Sequence, residues 1–271
     1  MTEQIEKSGI RGHHKKAIIY LVNRLQQDSD YLAVIITGSV AKGLAREDSD
    51  IDCYLVVKDE IFQDRKQRDH LFYYAEDGCD YKGGYYDGKI INSDFLQAAA
   101  EKGSEPTRAS FEGAIVAFSR IPNLDELVSR ISVYPEDRRE SNFKDFFAQV
   151  ELYGGYFADR ALALNNAYLL SQAVSQVALF AGRLILAYNR TLFPCHKSMM
   201  STLERVPEKP KSYVQLQNEM LARPNKETIS TFVECVRSFH DWGISPIESV
   251  SRFIVNNEWN WLEGEPPLSD R

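Results

Sequence analysis

The chain has 271 residues and a formal net charge of −7, with 44% hydrophobic, 26% charged and 11% aromatic residues. This composition is typical of a folded globular protein and excludes collagen-like and wholly disordered chains. The acidic balance gives no reason to expect the basic footprint of a protein that follows a nucleic-acid backbone, and it suits a cationic small substrate better. The four cysteines have no C-x-x-C spacing, so neither a zinc knuckle nor a disulfide framework is expected.

Two stretches of the sequence bear on where the protein is located. Residues 1–6 lack the basic and apolar regions of a secretory signal. The most apolar stretch, residues 167–188, is interrupted by serine, glutamine and arginine side chains that a membrane span tolerates poorly. We therefore expect a soluble, cytoplasmic protein that does not contact membranes.

The first half of the sequence alternates helix and strand patterns, judged by helical spacing of apolar residues and by short continuous apolar runs. The expected elements are a helix over 13–27, a strand over 32–36, a strand over 50–57, a helix over 60–74, a hairpin over 81–96, a helix from Phe95 and a strand over 114–118. The hairpin is expected to turn at Asp87-Gly88, because Asp-Gly is a strong hairpin signal.

Beyond the proline and charge cluster at 134–140, the hydrophobic pattern becomes almost purely helical. We place a domain boundary there, which gives domains of residues 1–135 and 136–271. The predicted helices of the second domain cover 141–164, 166–190, 198–205, 211–222, 226–242 and 245–257. The sequence therefore predicts an α/β (α+β) first domain with a mixed sheet flanked by helices, followed by an all-α helical bundle.

The clearest chemical pattern lies at and after the end of the first strand. Gly38 lets the backbone approach a ligand closely, and the free N–H groups of a short helical turn at Ser39 can hold phosphate. Asp50 and Asp52 are two residues apart on a strand, so both carboxylates leave the same face. Because two such carboxylates repel each other unless a hard cation such as Mg²⁺ bridges them, the pattern predicts a metal site beside a phosphate site.

This arrangement resembles the nucleotidyltransferases of the DNA-polymerase-β type, in which a Gly-Ser after one strand precedes an Asp-x-Asp on the next. The part that looks like the small bacterial members, which adenylylate aminoglycoside and lincosamide antibiotics, is TGSVAKGLAREDSDIDCYLVV. The resemblance implies a Mg²⁺-dependent enzyme that transfers a nucleoside monophosphate, with AMP from ATP as the expected case, to an acceptor hydroxyl and releases pyrophosphate. It implies a site in the cleft between the two domains. A turn with a capping serine and two solvated aspartates is the alternative interpretation.

The same resemblance implies a third carboxylate on a strand beside the Asp-x-Asp strand. Asn92 and Asp94 share one face by period-two spacing, and an amide cannot serve as a base. We therefore expect Asp94 to be the third acid, as a metal ligand or as the base. The alternative is that Asp94 caps the helix that begins near Phe95.

Two lysines are candidates for contacts with the triphosphate. The resemblance extends to a helical segment with a proline and a following lysine, LFAGRLILAYNRTLFPCHKSMMSTLERVPEKP. It implies that Lys197 is a triphosphate ligand, and a solvated surface lysine is the alternative. Lys42 lies in the loop between the two motifs and is a second candidate, again with ordinary solvation as the alternative. His13 and His14 are interpreted as solvated residues at a helix start and not as ligands.

Three functions remain open on this sequence. The first is transfer to a small hydroxylated acceptor, such as an aminoglycoside- or lincosamide-like antibiotic. The second is transfer to a protein side chain or an RNA end, as in antitoxin-like members of the superfamily, although the acidic balance disfavours RNA. The third is a nucleotide-binding module that has lost turnover. The expected partners are a nucleoside triphosphate and a small acceptor, bound by a monomer or a homodimer.

Overall fold

The computed structural model describes residues 9–262 and 264–271. The chain divides into two compact units, the first ending at Val133 and the second beginning at Tyr134. Within these described residues, the first unit has a core on each side of its sheet and the second unit has one helical core. The fold class is therefore the predicted one, a mixed α/β unit followed by a helical unit.

The first unit alternates helices and strands, as its sequence pattern predicts. Its elements are α1 (Gly12–Leu25), β1 (Tyr31–Ile36), α2 (Gly38–Ala41), β2 (Ile51–Val57), α3 (Asp59–Gln67), β3 (Phe72–Ala75), β4 (Tyr86–Ile91), α4 (Ser93–Lys102), α5 (Glu105–Ser110), β5 (Ile115–Ser119) and α6 (Leu124–Ile131). Strand β1 forms from the continuous apolar run that predicts it, and β2 from the alternating pattern that ends in Leu55-Val56-Val57. Both strands are largely buried on both faces.

The five strands form one mixed sheet in the order β3-β4-β2-β1-β5. Strand β1 is antiparallel to β2 and to β5, whereas β4 is parallel to β2 and antiparallel to β3. Asp52 on β2 is in register with Asp87 on β4. Because residues in register share a face, these two carboxylates leave the sheet on the same side.

Both faces of the sheet are covered by helices. On one face, Ile18 of α1 packs in the same core as Leu55, and the Tyr86 hydroxyl donates to the Ala17 carbonyl at 2.8 Å. On the other face, Leu96 of α4 lies in a core with residues of α6 and the central strands. The two cores fix β2 and β4 side by side, and this sets where their polar residues lie.

The segment around Asp87-Gly88 is a strand, so the predicted hairpin turn at this place is wrong. Gly88 is buried within β4 and pairs with Tyr73 on β3. A Cβ at Gly88 would lie 2.9 Å from the Cβ of Tyr73, so this glycine serves the close approach of two strands and not a turn. The chain reverses instead in the loop over 76–85.

The predicted helix over 60–74 is also too long. Helix α3 ends at Gln67, Asp69 adopts a left-handed conformation with φ of 56°, and the chain then enters β3. The aromatic sequence of β3 fits a strand better than a helix. The structure thus adds an edge strand that the sequence analysis did not predict.

In the second unit, the described residues form helices and helical turns without strands. Its helices are α7 (Arg139–Leu152), α8 (Ala158–Ala163), α9 (Ala167–Tyr188), α10 (His196–Arg205), α11 (Tyr213–Ala222), α12 (Lys226–Arg237) and α13 (Pro246–Phe253). A π-helical turn joins α7 to α8, a second follows α13, and short 3-10 turns occur at Glu136–Arg138, Asn260–Leu262 and Leu268–Asp270. The order and approximate extent of the helices agree with the sequence pattern.

Helix α9 runs through the core of the second unit, and Val177, Ala181 and Ile185 have almost no exposed surface. The Gln217 side chain of α11 donates to the Ala178 carbonyl of α9 at 3.1 Å. Among the described residues, α9 is the one helix long and apolar enough to cross a membrane. Half of its most apolar window is buried inside the protein, as in the core helix of a globular unit.

Candidate active site

Three carboxylates converge at one end of the sheet. Asp50 immediately precedes β2, Asp52 lies within β2, and Asp87 lies within β4. One oxygen from each can be chosen so that all three lie within 4.8 Å of one another, and all three residues are half-buried. Three carboxylates at this spacing repel one another, and oxygen donors are the ligands that Mg²⁺ prefers. The donor set therefore fits a hard divalent cation.

The Gly-Ser turn lies directly against this carboxylate cluster. Gly38 has φ of 63°, and a Cβ at this residue would lie 1.9 Å from Oδ2 of Asp52. The Thr37 N–H donates to the Asp52 carbonyl at 2.9 Å. These contacts bring Ser39, in the first turn of α2, next to the acids. The structure thus brings together the predicted phosphate-binding turn and the predicted metal ligands.

A tyrosine lies beside the cluster that the sequence analysis did not single out. The Tyr85 hydroxyl forms a hydrogen bond to Asp50, and this bond raises the pKa of the phenol above its ordinary value of 10. Tyr85, Asp87 and Lys89 alternate along the strand, and the Lys89 Nζ lies 3.9 Å from an Asp87 oxygen. This period-two row of polar residues was the sequence signal for a strand at this position.

Two further side chains fix the loop that leads into Asp50. The His14 Nε2 donates to the Ser49 carbonyl at 3.2 Å, and the Tyr81 hydroxyl donates to the same oxygen at 3.0 Å. The rings of His14 and Tyr81 contact each other with centroids 5.0 Å apart. His14 is fully buried, so its interpretation as a solvated residue is wrong. Its position three residues before the buried Ala17, on the same face of α1, was the available signal.

His14 is expected to make stability depend on pH. Burial, followed by the charge of His13, lowers the pKa of His14 below its ordinary value of 6.5. As the pH falls below this value, His14 is protonated in the unfolded chain, whereas the buried side chain in the folded protein stays neutral until a lower pH. The free energy of unfolding therefore decreases. In His14→Gln this contribution should vanish, while the amide can still donate to Ser49. Urea titrations at about pH 7.5 and about pH 5.5 measure the difference. If the free energy of unfolding falls by the same amount between the two pH values in the wild-type protein and in His14→Gln, the pH dependence does not come from His14.

Asp94 lies away from the carboxylate cluster, and its prediction as the third carboxylate is wrong. Strand β4 runs parallel to β2 with Asp87 opposite Asp52, so the residues that follow β4 lie at the other end of the sheet. Asp94 is exposed in the first turn of α4. The Asn92 side chain caps that helix by accepting a backbone N–H at 3.0 Å. Asp87 occupies the place in the cluster that Asp94 was expected to fill.

The two candidate lysines have different surroundings. The Lys42 Nζ forms an ion pair with Glu112 at 3.1 Å and donates to the Ala109 carbonyl at 3.3 Å. Lys197 lies exposed in the first turn of α10, in the second unit. Their roles as triphosphate ligands stay predictions.

The match to a protein-family model agrees with this geometry. Residues 18–81 match the family model of the nucleotidyltransferase domain, a span that includes Gly38, Ser39, Asp50 and Asp52. No curated protein matches the chain in sequence. Among solved structures, a nucleotidyltransferase-like protein from Exiguobacterium sibiricum 255-15 is similar at 9% identity, over 94% of this chain and 79% of that chain, with a TM-score of 0.48. The match over residues 18–81 supports a nucleotidyltransferase domain in the first unit and a transferase activity, in agreement with the expected resemblance to the DNA-polymerase-β type.

Proposed function

We propose that the protein transfers AMP from ATP to a hydroxyl group of a small acceptor and releases pyrophosphate, in a reaction that requires Mg²⁺. The observation that carries this proposal is the convergence of Asp50, Asp52 and Asp87 beside Gly38 and Ser39. A third carboxylate within reach of the Asp-x-Asp pair supports turnover over mere nucleotide binding, because both a metal site and a base can be built from three acids.

The roles of the residues follow from their positions. Asp50, Asp52 and Asp87 would hold the metal, which when bound neutralises charge on the attacking and leaving oxygens. The N–H groups at Ser39 hold phosphate oxygens, and Gly38 keeps that backbone close to Asp52. Asp87 is proposed to accept the proton of the acceptor hydroxyl. The acceptor oxygen then bonds to the α-phosphorus, the bond from that phosphorus to the bridging oxygen breaks, and pyrophosphate leaves.

The acceptor is proposed to be cationic, as an aminoglycoside-like molecule is, with a lincosamide-like molecule as a related choice. The net charge of −7 supports this proposal, because negative potential concentrates cationic substrates. Modification of such an antibiotic in the cytoplasm is the corresponding biological role. Lys197 is proposed as a further ligand of the triphosphate, since an ammonium group suits phosphate oxygens.

A pyrophosphate-release assay tests the proposal. The wild-type protein is incubated with Mg²⁺, each nucleoside triphosphate in turn, and a panel of cationic and neutral hydroxylated compounds, and the products are identified by mass. Release is expected with ATP, with Mg²⁺ present and with a cationic acceptor. Release that continues with EDTA present, or adenylylated protein as the sole product, would contradict the proposal, the latter in favour of a protein target.

A further inference from the structure

We infer that the acceptor binds on an aromatic surface at the β3 edge of the sheet, formed by Phe72, Tyr74 and Tyr85, and that this surface takes a hydroxylated ring carrying amino groups. We name these three residues the edge aromatic surface. The inference rests on the proposed function and deepens it, because it assigns the acceptor to particular residues of the first unit.

The edge aromatic surface and the carboxylates lie on the same face of the sheet. Tyr74 on β3 is in register with Asp87 on β4, which is itself in register with Asp52 on β2. Directly opposed residues in a sheet share a face, so all three side chains leave the sheet on one side. Tyr85 precedes Asp87 by two residues, and its ring centre lies 5.3 Å from that of Tyr74. The aromatic rings therefore continue the row of acids toward the edge.

The rings of Phe72 and Tyr74 are open to solvent although they are large, and Tyr85 beside them is half-buried. Phe72 is 60% exposed and Tyr74 is 54% exposed, whereas Tyr73 between them packs against the core on the opposite face. Lys89 leaves the sheet on the same side as Phe72 and Tyr74. Its Nζ, however, lies 5.6 Å from the ring centre of Tyr54 on β2, which is on the side of β4 away from β3. Adjacent exposed aromatic side chains of this kind mark binding sites more often than scattered single ones do.

The order of groups across the sheet sets the side from which the acceptor must enter. From β1 through β2 and β4 to β3, the groups follow one another as Gly38, Asp52, Asp87 and Tyr74. In an in-line displacement, the attacking and leaving oxygens lie on opposite sides of the phosphorus. If pyrophosphate leaves toward the phosphate-binding turn at Gly38, the acceptor hydroxyl approaches from the side of Asp87, where the edge aromatic surface lies.

The chemistry around the surface favours an amine-bearing ring. Aromatic faces attract ammonium groups, and they pack against the flat apolar side of a ring. The Tyr74 hydroxyl bonds to the carboxylate of Glu76, and the Tyr85 hydroxyl bonds to Asp50. Acids therefore adjoin the rings on two sides, and their charge complements amino groups on an acceptor. Amino-sugar rings combine all of these properties with the hydroxyl group that the reaction needs.

Binding measurements test the inference apart from turnover. Kanamycin A is the amine-bearing probe and methyl α-D-glucopyranoside the neutral one, each titrated by calorimetry into protein with Mg²⁺ and a non-hydrolysable ATP analogue. Phe72→Ala and Tyr74→Ala should each weaken kanamycin A binding about five- to tenfold, as loss of one aromatic contact to a cation predicts. The affinity for the ATP analogue should stay within about twofold. The matched control is Tyr168→Ala, which removes a tyrosine that is 79% exposed in the second unit.

The outcomes separate this inference from the proposed function. Unchanged kanamycin A affinity in both variants, or no binding of kanamycin A to the wild-type protein, overturns the inference. An equal loss of ATP-analogue affinity also overturns it, because the rings would then hold the nucleobase. If an alanine variant unfolds, Tyr74→Leu retains apolar bulk without the aromatic face and should show the same loss. Failure of the wild-type protein to bind the ATP analogue would instead refute the proposed function.

Discussion

Replacing Asp87 by Asn is expected to lower the rate of nucleotidyl transfer by about 10²–10³-fold, the loss typical when one preorganised charge-stabilising group is removed. The amide keeps the shape of the side chain but supplies neither the negative charge that a metal needs nor a base. The fold should remain intact, because the substitution relieves repulsion among three carboxylates within 4.8 Å. Pyrophosphate release under saturating ATP and acceptor measures the effect.

Asp94→Asn is the matched control, since it makes the same chemical change on an exposed helix turn at the other end of β4. Its transfer rate should stay within about twofold of wild type, as for a surface substitution. The free energy of unfolding with Mg²⁺ present gives a second readout that does not need turnover. An ion that binds only the folded state, at a concentration 100 times its Kd, adds about 2.7 kcal/mol to this free energy. Wild type and Asp94→Asn should show this stabilisation, and Asp87→Asn should lose most of it. Identical behaviour of the two variants would refute the assignment of Asp87.

The second large effect is expected for Gly38→Ala. The new methyl group would lie 1.9 Å from Oδ2 of Asp52, so either the carboxylate or the phosphate-binding turn must move. The left-handed backbone at φ of 63° adds strain of roughly 1–3 kcal/mol for a residue with a side chain. We expect lower stability in urea titrations and a loss of Mg²⁺-dependent transfer.

Gly43→Ala separates these two causes. Gly43 has φ of 68°, close to that of Gly38, but a Cβ at this position would have no atom within 4 Å. This variant therefore carries the backbone strain without the collision. Gly43→Ala should lose a similar amount of stability to backbone strain but retain transfer. Any larger loss of stability or transfer in Gly38→Ala then comes from the contact with Asp52. A loss of transfer in Gly43→Ala as large as in Gly38→Ala would show that the contact is not the cause.

Local patterns were sufficient to predict the strands β1 and β2, the Gly-Ser turn and the Asp-x-Asp pair. Strand β1 appears in the sequence as a continuous apolar run, and β2 as an alternation of polar and apolar residues that ends in an apolar run. Gly38, Ser39, Asp50 and Asp52 lie at or next to the ends of these strands, so their proximity depends on one antiparallel pairing. The helices of the second unit were predictable for a similar reason, because their apolar spacing is a local property.

The third carboxylate was not predictable in this way, because its position depends on the register between β2 and β4. Asp87 meets Asp52 through a parallel pairing across a long connection, and no local pattern sets that register. The dipeptide Asp87-Gly88 is also compatible with two structures, a tight turn or a strand that approaches another strand closely. The contact with Tyr73 favours the strand, and Tyr73 lies in β3, which the sequence pattern did not predict.

The connection between the two acid-bearing strands is a part of the domain that can change without changing the central strands. Strand β3 lies at the edge of the sheet, where it pairs with β4, and no described strand pairs with its other side. Edge segments and loops tolerate exchange better than the strands they flank. Changes in residues 68–85 can therefore alter the surface beside Asp87 without displacing Asp50 and Asp52. Variants of this segment are therefore expected to change the preference for the acceptor while Asp50 and Asp52 keep their places.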